Sequence, residues 1–288
     1  MSISASFVRI KEFFRLHRHA TVLICVVFAL AFVPVLDIFL VLGNSWQGIT
    51  PTFIDENLYQ AHVQAIGEGY LNDGNPYFLE HRSDPPLVIF GGVWLNALPL
   101  LVGVPFNTTL MINFIFWSLL FAALFYRLFR ELSVSPWLAG LGTLLQYLQF
   151  YPYMWRSANL QPVLPLYILF SISFVRLVRE QNRKNIYLVA GATGASFYMY
   201  AYLWQTILIT LGLLFLYALA RKNWELMRAA LLSSCIGVFI GLPVPLYTLW
   251  LSSSSPYFWE SISRFGLVNT HLPMAEVVYS GGWIGFVG

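Results

Sequence analysis

The stretch from Ala20 to Leu42, "ATVLICVVFALAFVPVLDIFLVL", contains a single acidic or basic residue, Asp37. As an α-helix it is long enough to cross a hydrocarbon core about 30 Å thick. Further apolar runs recur along the chain, separated by short polar segments. Within a bilayer the backbone must satisfy its own hydrogen bonds, so such runs fold as helices. The pattern predicts an all-α, polytopic helical membrane protein. Composition agrees: 10% of the residues are charged, against about 25% in an ordinary soluble domain. Aromatic residues make up 17%, as expected where many helix ends meet the bilayer interface. The net charge of +3 is small and gives no reason to expect a nucleic-acid partner. Cys25 and Cys235 lie in apolar runs with no ligand spacing around them, and read as packing residues.

The placement of Lys and Arg predicts the topology. Arg9, Lys11, Arg15 and Arg18 precede the first run, so the N-terminus is expected in the cytoplasm. That run is long for a signal peptide and has no small-x-small cleavage site, so it reads as a retained helix. Residues 43–107 then form an outer loop that holds many of the chain's acids. The run "LVIFGGVWLNALPLLVGVPF" within it is interrupted by Gly91, Gly92, Asn96, Pro99 and Gly103. If it crossed, Arg127 and Arg130 would fall outside, so it is expected to be interfacial or re-entrant. Later spans are expected at 108–126, 136–153, 161–179, 186–203, 204–220 and 226–251, about seven in all. Clusters at Arg127 and Arg130, at Arg176 to Lys184, and at Arg221 and Lys222 then face the cytoplasm. Residues 1–288 read as one transmembrane module with an outer segment at 251–288. That segment closes on an apolar, glycine-rich phrase and reads as a truncation point. The protein is thus expected to be integral and multi-pass in a plasma or inner membrane.

The outer loop carries the candidate chemistry. Asp55 is placed as a helix N-cap, and "ENLYQAHVQAIGEG" reads as a short amphipathic helix ended by Gly67 and Gly69. Leu58, Ala61, Ala65 and Ile66 mark its apolar side, while Asp55, Tyr59 and His62 share another face. A carboxylate here is favoured by the helix dipole without any catalytic role. Downstream, "YFLEHRSDPPL" groups Glu80, His81, Arg82 and Asp84 just before the interfacial run. A carboxylate can take a proton from an incoming hydroxyl or amine. Arginine can hold a phosphate in its planar fork. A lipid-linked phosphate arriving from the bilayer would meet both.

This ordered set resembles the GT-C glycosyltransferases, in the branch of the lipid A aminoarabinose transferases and protein O-mannosyltransferases. The resemblance rests on the pair Asp55-Glu56, Tyr59 three residues on, Gly67 and Gly69, and the phrase Tyr77-Phe78-Leu79-Glu80-His81-Arg82 before Pro85-Pro86-Leu87. It covers residues 50–90 in motif and 1–250 in topology, including two juxtamembrane helices in the first outer loop. Two departures stand out. Arg82, Ser83 and Asp84 are inserted before the prolines, which leaves the phosphate contact open between His81 and Arg82. A Leu-Asp-Pro phrase of that branch stands here as Leu160-Gln161-Pro162, without the acid.

The resemblance implies transfer of a sugar, with inversion, from a polyprenyl-phosphate donor to a lipid, protein or glycan acceptor on the outer face. It implies Asp55 as general base and Glu56 as a supporting carboxylate or metal ligand. A divalent cation is possible, with Asp55 and Glu56 as its ligands; no other cofactor is expected. Tyr59, His62 and Glu80 would line the substrate site, and His81, Arg82 and Arg156 are the candidate phosphate contacts. Arg156, in "YPYMWRSANLQP", reads equally as an interfacial arginine beside Tyr153 and Trp155. Two other readings differ in what they require. A transporter or flippase of a lipid-linked substrate would need ionisable groups at mid-membrane depth, and the runs carry almost none. A non-catalytic lipid-binding fragment would need no role for Asp55.

Overall fold

The computed structural model describes residues 18–45, 56–72, 74, 83–86, 91–156, 160–255 and 258–259, and among these there is no β-strand. The α-helices are α1 (Arg18–Leu42), α2 (Glu56–Gly67), α3 (Gly91–Leu101), α4 (Phe106–Glu131), α5 (Pro136–Phe150), α6 (Val163–Arg179), α7 (Arg183–Met199), α8 (Ala201–Ala220), α9 (Trp224–Gly241) and α10 (Pro243–Ser254). A 3-10 segment, Tyr151–Trp155, continues α5. By length and composition α1, α4, α8 and α9 can each cross a membrane. The chain is a helical membrane protein. Helices α6 and α7 have 17 residues each, at the short end of the roughly 17–25 that a crossing needs, and α5 with 15 falls just below it. The interrupted run in the first loop forms α3, whose 11 residues give about 16 Å of helix, half of a hydrocarbon core.

Two compact units are present, Met1–Leu242 and Pro243–Gly288. The apolar stretch expected as one span over 226–251 is therefore two helices. The chain leaves α9 at Gly241 and restarts with Pro243 at the first position of α10, where its missing N–H costs nothing. The expected 186–203 span also differs. It starts at Arg183, because the Asn182 side chain accepts from the Asn185 backbone N–H at 2.9 Å and caps the helix. It stops at Met199, because Tyr200 is extended (φ −162°, ψ 133°). Aromatic rings cluster around the break: Phe197 stacks on Trp204 at 4.9 Å, and Tyr200 meets Tyr202 edge-on at 5.2 Å.

Within the first unit, α1 buries only the narrow stripe Leu23, Val27, Ala31 and Val35, which packs with Phe114, Phe121 and Ala122 of α4. A second core joins α6 to α9 through Phe170, Leu177, Val189, Ile207, Leu211 and Ala230. Large apolar side chains such as Leu40, Leu145, Ile209 and Phe239 are exposed, as lipid contact permits. The tightest seam is between α7 and α9. A Cβ on Gly237 would lie 2.6 Å from the Thr193 Cβ, and one on Gly194 would lie 2.6 Å from the Ile240 Cβ. Small residues at this spacing let two membrane helices approach at backbone distance. The Tyr198 hydroxyl also donates to the Ile240 carbonyl at 2.9 Å across the same seam.

The basic clusters converge at one end of this unit. Glu131 at the end of α4 is bridged by Arg127 at 2.7 Å and by Arg176 of α6. The α4–α5 turn that follows lies beside Arg179, which donates to the Ser133 hydroxyl at 3.5 Å. Arg18 and the first residues of α5 line one groove, so the start of α1 belongs to the same end.

Candidate functional site

Of the candidate site residues, Glu56, Tyr59, His62 and Arg156 are among the described residues. Asp55, Glu80, His81 and Arg82 lie outside them. The structure brings Tyr59 and Arg156 together from opposite sides of a long stretch of sequence. The Arg156 guanidinium carbon sits 5.8 Å from the centre of the Tyr59 ring, within cation–π range. An arginine guanidinium is a planar fork of N–H donors that suits an oxyanion.

Helix α2 buries Ala65 and Ile66 of the apolar side its sequence suggested, but the inward face is rotated to take in Tyr59 and Val63. Tyr59, Val63 and Ile66 pack with Val93 and Ala97 of α3, while Leu58 and Ala61 are only half-buried. Tyr59 therefore belongs to the packing face through its ring. Glu56 occupies the first turn of this same stripe and is 1% exposed. Gln60, one turn on, donates from Nε2 to Glu56 Oε1 at 3.4 Å. His62 stands off the stripe and is half-buried. The helix ends as expected from its glycines: Gly69 has φ +96°, with Tyr70 N–H bonded to Ala65 O and Gly69 N–H to Ile66 O, both at 3.0 Å.

One turn of α4 holds both halves of the site. Asn113 Nδ2 donates to the Asn96 backbone carbonyl at 2.7 Å, and Trp117 Nε1 to Asn96 Oδ1 at 3.0 Å. Asn96 is fully buried, so these bonds fix α3, and with it α2, against α4. Between them in sequence, Phe114 stacks on Trp155 at 3.8 Å and meets Tyr151 edge-on at 5.9 Å. That clamp sets the 3-10 segment on which Arg156 follows. Gln161 Nε2 donates to the Met154 carbonyl and ties the start of α6 to the same segment. Gln161, the departure from Leu-Asp-Pro, is thus a buried positioning residue.

Asn96→Leu is expected to leave the Trp117 indole N–H without its acceptor, at a cost of about 1–3 kcal/mol. A lowered thermal midpoint with weakened substrate binding is the expected result, while an unchanged midpoint would contradict the network.

Sequence reasoning noticed Asn96 only as an interruption of an apolar run. Gln60, Phe114 and the structural use of Gln161 were not visible, since each depends on contacts between elements. For a divalent cation, Glu56 is the described residue that would hold it. Among the described residues no group of three or more His, Cys, Asp and Glu converges. Two surface hollows, one along α9 and one between α1 and α5, include no residue of α2. The geometry of α2 and Arg156, rather than a deep cavity, defines this candidate site.

The fold defines a class, an all-α membrane protein, in which Arg156 is set over the Tyr59 ring of the first-loop helix α2. No protein-family model matches the chain, and no curated protein or solved structure matches it either.

Proposed function

We propose that the chain is a GT-C type glycosyltransferase that moves a sugar from a polyprenyl-phosphate donor to an acceptor on the outer face of the membrane. In this reading the chain crosses about seven times, the convergent basic end faces the cytoplasm, and α2 and α3 lie at the outer surface. The observation that carries it is the Arg156–Tyr59 contact at 5.8 Å, which places a guanidinium on the packing stripe that begins with buried Glu56. Asp55, the residue before it, is the base. It takes the proton from the acceptor hydroxyl as that oxygen attacks the anomeric carbon. The bond from that carbon to the donor phosphate oxygen breaks with inversion, and its electron pair leaves on the phosphate. Arg156, with Arg82 or His81, holds the departing phosphate. The donor is already activated, so positioning, a base and an anion site suffice.

In proteoliposomes loaded with mannosyl-, glucosyl- and aminoarabinosyl-phosphopolyprenols, the wild type is expected to consume one of these donors, and Asp55→Asn to consume none while remaining folded and inserted. Full turnover by Asp55→Asn would remove Asp55 as base. Failure of the wild type on every donor would leave lipid binding without chemistry.

A further inference from the structure

The N-terminal ends of α1 and α5 run side by side and leave a groove of about 340 Å³ between them. Its walls are apolar: Val22, Leu23 and Val26 on α1, and Trp137, Leu141 and Leu144 on α5. Gly140 widens it, since a Cβ there would meet nothing within 4 Å. The groove's end carries Arg18 and His19. Arg18 is exposed, and its Nε donates to His19 Nε2 at 3.3 Å. The same end of the unit holds Arg127, Arg130, Arg176 and Arg179.

In a chain that lies in a bilayer, a slot with apolar walls is filled by hydrocarbon, and the charge at its mouth selects the headgroup. A basic pocket between membrane helices recognises an anionic lipid. We propose that this groove is a binding site for a phospholipid with an anionic headgroup. One acyl chain lies between α1 and α5, and the headgroup phosphate rests on Arg18 and His19. The site lies apart from α2 and Arg156, and the inference stands independently of glycosyl transfer.

Native mass spectrometry of the purified full chain, given phosphatidylglycerol and phosphatidylcholine in equal amounts, tests it. The wild type is expected to retain one phosphatidylglycerol in preference to phosphatidylcholine, by on the order of fivefold. Arg18→Gln is expected to bring the two lipids near parity. Gly140→Phe fills the slot and is expected to lose the retained lipid, without touching the headgroup contacts. Equal retention of both lipids by the wild type would overturn the proposal. So would a phosphatidylglycerol preference that survives Arg18→Gln, a change at an exposed residue that is expected to leave the fold intact. A dimer that persists with no bound lipid would also overturn it, by assigning the groove to a second copy.

Discussion

Arg156→Ala is expected to weaken binding of polyprenyl phosphate by about ten- to hundredfold, the worth of hydrogen bonds to a charged group, while leaving the fold intact. The contact with the Tyr59 ring is worth about 0.5–1 kcal/mol at a partly exposed site. Arg156→Lys is the informative companion. It keeps the charge but loses the planar fork, so an intermediate loss is expected if the phosphate is gripped by two N–H groups. The polyprenyl alcohol should bind the wild type and both variants equally, because it offers no anion. The measurement is equilibrium binding to each purified variant, with the thermal midpoint as the fold control. Equal loss for alcohol and phosphate would mean that Arg156 is only packing on Tyr59.

The second large effect is on the fold. Gly237→Leu is expected to destabilise the protein by about 3 kcal/mol, at the upper end for overpacking a filled site. Even the first carbon of that side chain would meet the Thr193 Cβ at 2.6 Å and the Ala190 carbonyl at 3.1 Å. Neither atom is the movable end of a flexible side chain, so the α7–α9 seam must open. Gly191→Ala, on the same helix α7, is the control. Its added Cβ meets nothing within 4 Å, and replacing a helical glycine by alanine is worth about 1 kcal/mol in its favour. Thermal unfolding in detergent should separate the two in opposite directions. If Gly237→Leu left the midpoint unchanged, the close approach of α7 and α9 would be contradicted.

The helical class and the ends of α1 were legible in the sequence because hydropathy and basic flanks are local signals. The shortness of α3 was legible too, since Gly91, Gly92, Asn96 and Pro99 interrupt its run. Proline alone did not mark helix ends. Pro34 lies inside α1 and Pro99 inside α3 without stopping either, yet the chain breaks before Pro243. Membrane helices tolerate proline when neighbours re-satisfy the backbone, so the choice is made by packing. The break at Tyr200 has no glycine or proline at all, and the ring contacts around it are tertiary. The inward face of α2 was legible at Ala65 and Ile66 but not at Tyr59, which counts as polar by its hydroxyl but packs by its ring. Of the candidate site, the sequence named Arg156 and Tyr59 separately. That one contacts the other became visible only when the Phe114 clamp and the Asn96 network fixed both to α4.

Arg156, set over the Tyr59 ring of α2, is proposed to contribute to a site for a lipid-linked phosphate. Competition between radiolabelled polyprenyl phosphate and the unlabelled phosphate or alcohol, on wild type and Arg156→Ala, tests this most directly. On the wild type the phosphate is expected to compete far better than the alcohol, and this advantage is expected to fall at least tenfold in Arg156→Ala. Equal competition by the alcohol, or a phosphate preference that survives the loss of Arg156, would contradict it.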